Sequence, residues 1–295
     1  MSINKSRKKR TREFEYDYEN FYTESIDAVE DDVIEKLLKN RSIRYHYMTK
    51  TVKSGNQFEV EIYPLFSKKD FDKYRPKKKP TRLAQKYLND KNARKYFIRL
   101  VNANFGPDDW VIHLTYFDSK RPTNIDDANH ELKKYIDRIN YHRKKIGLKN
   151  AKYVYVTEYD PDKKINVHHH LIIEGGLERR KMKDLWKNGM RTEIDELEPD
   201  DAWLTGLAMY LSKDPKGKKR WKPSKNLKKP VERKSYTVFS NRKIRSMVDD
   251  QSLVSVYMNR NYKAKHYLQH EVRYNKVNRM FYIYVRMRTK ERMNI

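Results

Sequence analysis

Residues 152–160 read "KYVYVTEYD" and residues 166–176 read "NVHHHLIIEGG", with only "PDKKI" between them. Two strand-like runs joined so briefly must return on one another as an antiparallel hairpin, because a parallel crossover needs far more chain. Alternate side chains of a strand share a face, so His168, His170 and Ile172 point one way. Val167, His169, Leu171 and Ile173 point the other. With the connection centred on Lys163, Glu158 falls opposite His168, and Val156 opposite His170. Opposed side chains on one sheet face have Cβ atoms about 5 Å apart, close enough for one metal ion to bridge them. Glu158, His168 and His170 thus form a candidate metal site of two imidazoles and one carboxylate. Three protein ligands leave positions open for water or substrate, as catalytic sites require. The donor set suits zinc, iron or manganese, and Mg²⁺ could use the same open geometry. The plainer alternative is a histidine cluster satisfied by core or surface contacts.

The pattern around this hairpin indicates an α+β fold. "WVIHLTYFD" (110–118) reads as a strand, and "IDDANHELKKYIDRINYHRKKIG" (125–147) as an amphipathic helix, acidic early and basic late. After the hairpin, 177–189 reads as a helix ended by Gly189, and 199–215 as another, capped by Asp200 or Asp201 and stopped by Pro215. Strand, helix, hairpin and helix argue for an antiparallel sheet with helices packed mainly on one face. Upstream, 46–66 suggests two strands about a Ser-Gly-Asn turn, 67–82 a Lys/Pro-rich linker, and 83–105 a helix. The expected organisation is a charged tail (1–40), a strand and helix region (41–105), a core (106–235) and a basic C-terminal region (236–295). Beyond residue 216 the pattern does not resolve into elements.

The net charge of +27 implies a polyanionic partner. It is uneven: residues 13–35 hold ten acids and no Lys or Arg, so the remaining 272 residues carry about +37. The acidic block could fold back on basic surface, although a solvated arm is its default. The absence of cysteine excludes disulfides, thiolate zinc sites and cysteine nucleophiles. No apolar stretch approaches the roughly 20 residues needed to cross a bilayer, and the basic start lacks the apolar core of a signal peptide. A cytoplasmic protein without a membrane partner is expected. No Gly-x-x-x-x-Gly-Lys-Ser/Thr occurs, so no helicase motor is evident.

"VHHHLII" with Glu158 upstream resembles the second motif of HUH endonucleases, the rolling-circle replication initiators and relaxases. The middle residue, His169, departs from the family's usual apolar choice. "VIHLTY" (111–116) is similar to the first motif, and "WKPSKNLKKP" (221–230) resembles a segment that follows the nucleophile. The resemblance covers roughly residues 45–235 and points towards the replication-associated initiators of filamentous-type phages and related mobile elements. It implies a five-stranded antiparallel HUH sheet with N- and C-terminal additions. It also implies a bound Mg²⁺ or Mn²⁺ and a tyrosine nucleophile from a Tyr-x-x-Lys motif.

That motif occurs five times, starting at Tyr47, Tyr74, Tyr141, Tyr210 and Tyr262. Only Tyr210 and Tyr262 follow the histidine strand. Helical spacing puts Tyr210 on the rim of an apolar face formed by Trp203, Leu204, Leu207, Ala208 and Leu211, whereas Tyr262 has no apolar helix evident beneath it. Tyr210 and Lys213 are therefore the expected catalytic pair. The adjoining stretch 213–234 carries eleven Lys/Arg against two acids. Within it Lys218, Lys219, Arg220, Trp221, Lys222 and Lys225 are expected to contact single-stranded origin DNA, the cations through phosphates and the indole by stacking. A host helicase and polymerase are the implied partners. One helical turn after Tyr210 stands Asp214 rather than a second tyrosine, so completion of a round would need a second protomer, as in a homodimer, or hydrolysis assisted by an acid. The rival readings are a relaxase or HUH transposase, a non-catalytic nucleic-acid-binding protein, and a metal-dependent hydrolase using water.

Overall fold

The computed structural model describes residues 45–66, 82–160, 165–189, 192–212, 221–275 and 280–290. The tail at 1–40, the 67–81 linker and residues 213–220, which include Lys213, Asp214, Lys218, Lys219 and Arg220, lie outside them. In chain order the elements are β1 (Tyr45–Ser54), β2 (Gln57–Phe66), α1 (Arg82–Asn104), β3 (Trp110–Leu114), α2 (Ile125–Lys145), β4 (Tyr153–Asp160), β5 (Ile165–Ile173) and α3 (Arg179–Leu185). They continue with β6 (Thr192–Glu196), α4 (Thr205–Leu211), β7 (Lys222–Pro223), β8 (Val231–Ser235), α5 (Asn241–Asp249), α6 (Ser252–Asn261), β9 (Lys265–Asn275) and β10 (Met280–Thr289).

The fold class is α+β, with two five-stranded antiparallel sheets. The first, ordered β6-β3-β5-β4-β7, contains the histidine hairpin. Glu158 pairs with His168 and Val156 with His170, the register read from the sequence, and a bulge follows between Glu158 and Asp160. On one face α2 and α3 seal Ile112, Leu114, Leu171, Ile173 and Ile194. The start of α2 is fixed by Asn124, whose side chain accepts from the Asp127 amide. Its fully buried Leu132, Tyr135 and Ile139 each contribute roughly 1.5–3 kcal/mol of apolar burial.

The helices are not confined to that face. On the opposite side α1 and α4 cover Val154, Val156 and Ile172, because at one end of β4 and β5 the residues of both faces are apolar. Two helices are also shorter than their sequence pattern. α3 stops at Leu185, where Trp186 turns extended and its indole N–H donates to the Thr115 carbonyl at 2.9 Å. Gly189 does not end that helix; it lies against the same carbonyl, with no room for a Cβ. α4 begins at Thr205, not near 199, because the Asp200 side chain accepts from the Ala202 amide. Trp203 is then held at φ 58°, with its indole N–H bonded to the Phe105 carbonyl.

The second sheet, ordered β8-β1-β2-β10-β9, unites the two ends of the described chain. One face packs on α5 and α6 through Val60, Ile62, Ile283, Val285 and Met287. The other carries Glu59 and Glu61, both ion-paired to Arg99 of α1. α1 therefore meets one sheet with charge and the other with hydrocarbon.

Candidate functional site

The layer formed by α1 and α4 does not cover the whole of its sheet face. Where it stops, His168, His170 and Glu158 come together, with the His168 Nε2 3.4 Å and the His170 Nε2 3.7 Å from Glu158 carboxylate oxygens. The Nδ1 of His168 lies 2.8 Å from the Asn166 carbonyl, so Nδ1–H donates there and Nε2 is left facing the carboxylate. A backbone carbonyl fixing one ring nitrogen and freeing the other is how metal-ligating histidines are ordinarily oriented. Burial disfavours protonation of His168, but the hydrogen bond with Glu158, the Asn166 carbonyl and the Glu158 charge outweigh it and raise its pKa.

His113 of β3 joins this group, and the sequence reading missed it. β3 is the direct neighbour of β5, with His113 opposite His170. The two imidazoles stack at 4.8 Å with 7° between their planes, and His168 meets His113 edge-on at 5.2 Å. Ligand nitrogens of His113, His168 and His170 all lie within 4.8 Å of one another. The Nε2 of His113 is buried and has no hydrogen-bond partner among the described residues. An unpaired imidazole nitrogen beside two others and a carboxylate is what a cation site looks like before its cation, so the donor set fits a divalent metal. The signal in the sequence was the polar His113 inside the apolar strand "VIHL". It became readable only once β3 was known to lie beside β5.

His169 faces the other way, as expected, and is fully buried. Thr157 donates its hydroxyl hydrogen to Asn129, so at 2.9 Å it must accept from the Nδ1–H of His169. Nε2 then accepts from the Tyr116 hydroxyl at 2.7 Å. Burial, followed by the charges that the other histidines can carry, pushes its pKa down to about 3, in keeping with a neutral structural imidazole.

Tyr210 stands over the cluster. Its ring meets His170 edge-on at 5.9 Å, and 47 % of the residue is exposed, while Leu204, Ala208 and Leu211 are buried beneath. Tyr262 differs. It ends α6, which does bury Val254 and Met258. Its ring packs on Phe58, its hydroxyl is buried without a hydrogen-bond partner among the described residues, and burial pushes its pKa up to about 12. Of the expected DNA contacts, Lys225 is exposed and Lys222 sits in β7 opposite Tyr155. Trp221 packs against Phe97 at 5.1 Å and stacks on Tyr96 at 6.1 Å, so much of its ring is already occupied by α1.

No helix of the described residues is long and apolar enough to cross a membrane. No curated protein and no solved structure matches the chain. Residues 109–215 match a family described as replication-associated protein ORF2. This segment, about a third of the chain, runs from the edge of β3 to just past α4 and so contains every residue of the cluster and Tyr210. Over that segment the chain is similar to replication-associated proteins, and the match supports a role in replication initiation.

Proposed function

We propose that this chain is an HUH-type endonuclease that nicks and rejoins single-stranded origin DNA through Tyr210, starting rolling-circle replication. The observation that carries the reading is the edge-on contact of the half-exposed Tyr210 with His170. Two residues distant in sequence meet, and one is a nucleophile while the other belongs to a metal-type donor set. A divalent cation such as Mg²⁺ or Mn²⁺, held by Glu158, His168 and His170, would polarise the scissile phosphate and offset charge on the transferring group.

The chain's own residues supply the rest. α4 holds the phenol at the edge of its apolar face, so the ring is braced and the oxygen can approach a phosphate in solvent. The phenolic oxygen forms a bond to phosphorus as the bond from phosphorus to the 3′-oxygen breaks. The phenol's proton leaves, and the departing oxygen gains one to become a 3′-hydroxyl. The product is a 5′-phosphotyrosine and a free primer end. Because the phosphodiester is exchanged rather than hydrolysed, the reverse attack reseals the strand without a nucleotide cofactor. Lys213 would steady the phosphate or phenolate, and the cations from Lys218 to Lys225 would hold the strand.

The test is incubation with labelled single-stranded DNA and Mn²⁺, followed by a denaturing gel. A protein band shifted by covalent DNA, absent in Tyr210→Phe and kept in Tyr262→Phe, is expected. Cleavage without an adduct would instead favour a water nucleophile, and binding without cleavage a non-catalytic role.

A further inference from the structure

Resting on the reading that Glu158, His168 and His170 hold a cation, we infer that His113 is a fourth ligand, and that the resulting set of three imidazoles and one carboxylate selects Mn²⁺ and related transition metals over Mg²⁺. Three features of His113 converge on this. Its Nε2 is buried with no partner among the described residues, a state that costs about 1–3 kcal/mol unless a ligand relieves it. It lies within 4.8 Å of the ligand nitrogens of His168 and His170. Its Nδ1 faces the Glu193 carboxylate on β6 at 3.7 Å, in direct strand register.

A carboxylate outside the site, aimed at the distal ring nitrogen, is the usual companion of a metal-binding imidazole; it sets the tautomer and makes the other nitrogen more basic. Glu193 is thus a positioning residue for His113. β3 is flanked by β5 and β6, so His113 is carried by an interior strand rather than a loop. The parallel stack of His113 on His170 at 4.8 Å also disfavours two protonated rings, since like charges that close repel. Neutral imidazoles are the form that coordinates. Mg²⁺ prefers oxygen and retains its waters, whereas imidazole nitrogen suits Mn²⁺ less well than Zn²⁺ or Cu²⁺ but far better than it suits Mg²⁺.

Calorimetric titration of the metal-free full chain with MnCl₂ and with MgCl₂ tests the inference without relying on activity. The wild type should bind Mn²⁺ on the order of 100-fold more tightly than Mg²⁺, and His113→Ala should lose more than about tenfold in Mn²⁺ affinity. Glu193→Gln should lose on the order of tenfold. A His113→Ala protein that melts like wild type and binds Mn²⁺ equally well overturns the proposal, as does a wild type that binds neither ion. Should the variant fold poorly, pulsed electron paramagnetic resonance on the Cu²⁺-loaded wild type counts coordinated imidazoles directly; three are expected, and two would overturn it. The adduct assay separates the outcomes. If Mn²⁺ drives adduct formation while His113→Ala binds the metal unchanged, this inference fails and the nicking reading stands. If His113 proves a ligand but no adduct forms, the nicking reading fails alone.

Discussion

The three consecutive histidines, taken one residue at a time, divide into two unlike roles. Glu158→Gln, His168→Ala and His170→Ala should each abolish adduct formation while leaving affinity for single-stranded DNA nearly unchanged, as a gel assay beside a binding titration would reveal. His169→Leu should behave oppositely. It leaves the Thr157 hydroxyl and the Tyr116 hydroxyl without the ring nitrogens that pair them, and each buried group so stranded costs about 1–3 kcal/mol. A clear fall in melting temperature with adduct formation retained is expected; loss of the adduct at unchanged stability would put His169 in the chemistry. The two-residue period of the strand made this division legible without coordinates. The period gave no access to His113, because it says which face a side chain takes and nothing about which strand lies next door.

Among the helices and strands, α4 is the one that depends most on a neighbour. Its seven residues are too few to form a helix unaided, and α1 holds both of its ends. Asn102 of α1 donates to the Thr205 hydroxyl at 3.0 Å and accepts from the Leu204 amide at 3.1 Å. Arg94 donates to the Met209 carbonyl and the Ser212 hydroxyl, both at 3.2 Å. The same stretch of α1 is pressed by the β1–β2 turn, where Gly55 has φ 60° and leaves no space for a Cβ beside the Asn102 carbonyl. Tyr210 is thereby positioned by residues more than a hundred positions upstream. Arg94→Ala should slow single-turnover adduct formation by on the order of tenfold, as small misplacements of reacting groups do, with DNA affinity unchanged. A parallel loss of affinity and rate would assign Arg94 to DNA binding. Helical spacing disclosed the apolar face of α4 but overran its length, because the turn at Asp200 and Trp203 is made by contacts to Phe105 and Ala202 that periodicity does not encode.

Across the full fold, the least legible feature was the second sheet. β10 is buried on both faces from Tyr282 to Met287, so it lacks the apolar and polar alternation that marks a half-exposed strand. Its partner β2 lies more than two hundred residues earlier. This sheet is joined to α1 by charge. Glu59 and Glu61 are nearly fully buried, as is Arg99, and Arg99 bonds both carboxylates while the Lys95 ammonium lies 2.5 Å from Glu61. Burial alone would raise the pKa of Glu61, but Lys95, Arg99 and Lys50 outweigh it and hold it at about 2; Glu59 is likewise lowered. A carboxyl group whose pKa is depressed on folding stabilises the fold fully above its unfolded value near 4.5 and loses that contribution as pH falls towards 2. For Glu61 the amount at stake is roughly 3 kcal/mol. Arg99→Met should destabilise the protein at pH 7 by roughly 3–5 kcal/mol, since it leaves two carboxylates buried with less compensation. The gap between variant and wild type should narrow as pH falls through that window, because protonated carboxyls no longer need the guanidinium. Urea unfolding of both proteins at pH 7, 4.5 and 3 measures the gap. A difference that stays constant across the three would show that Arg99 contributes by packing α1 against the sheet and not by its charge.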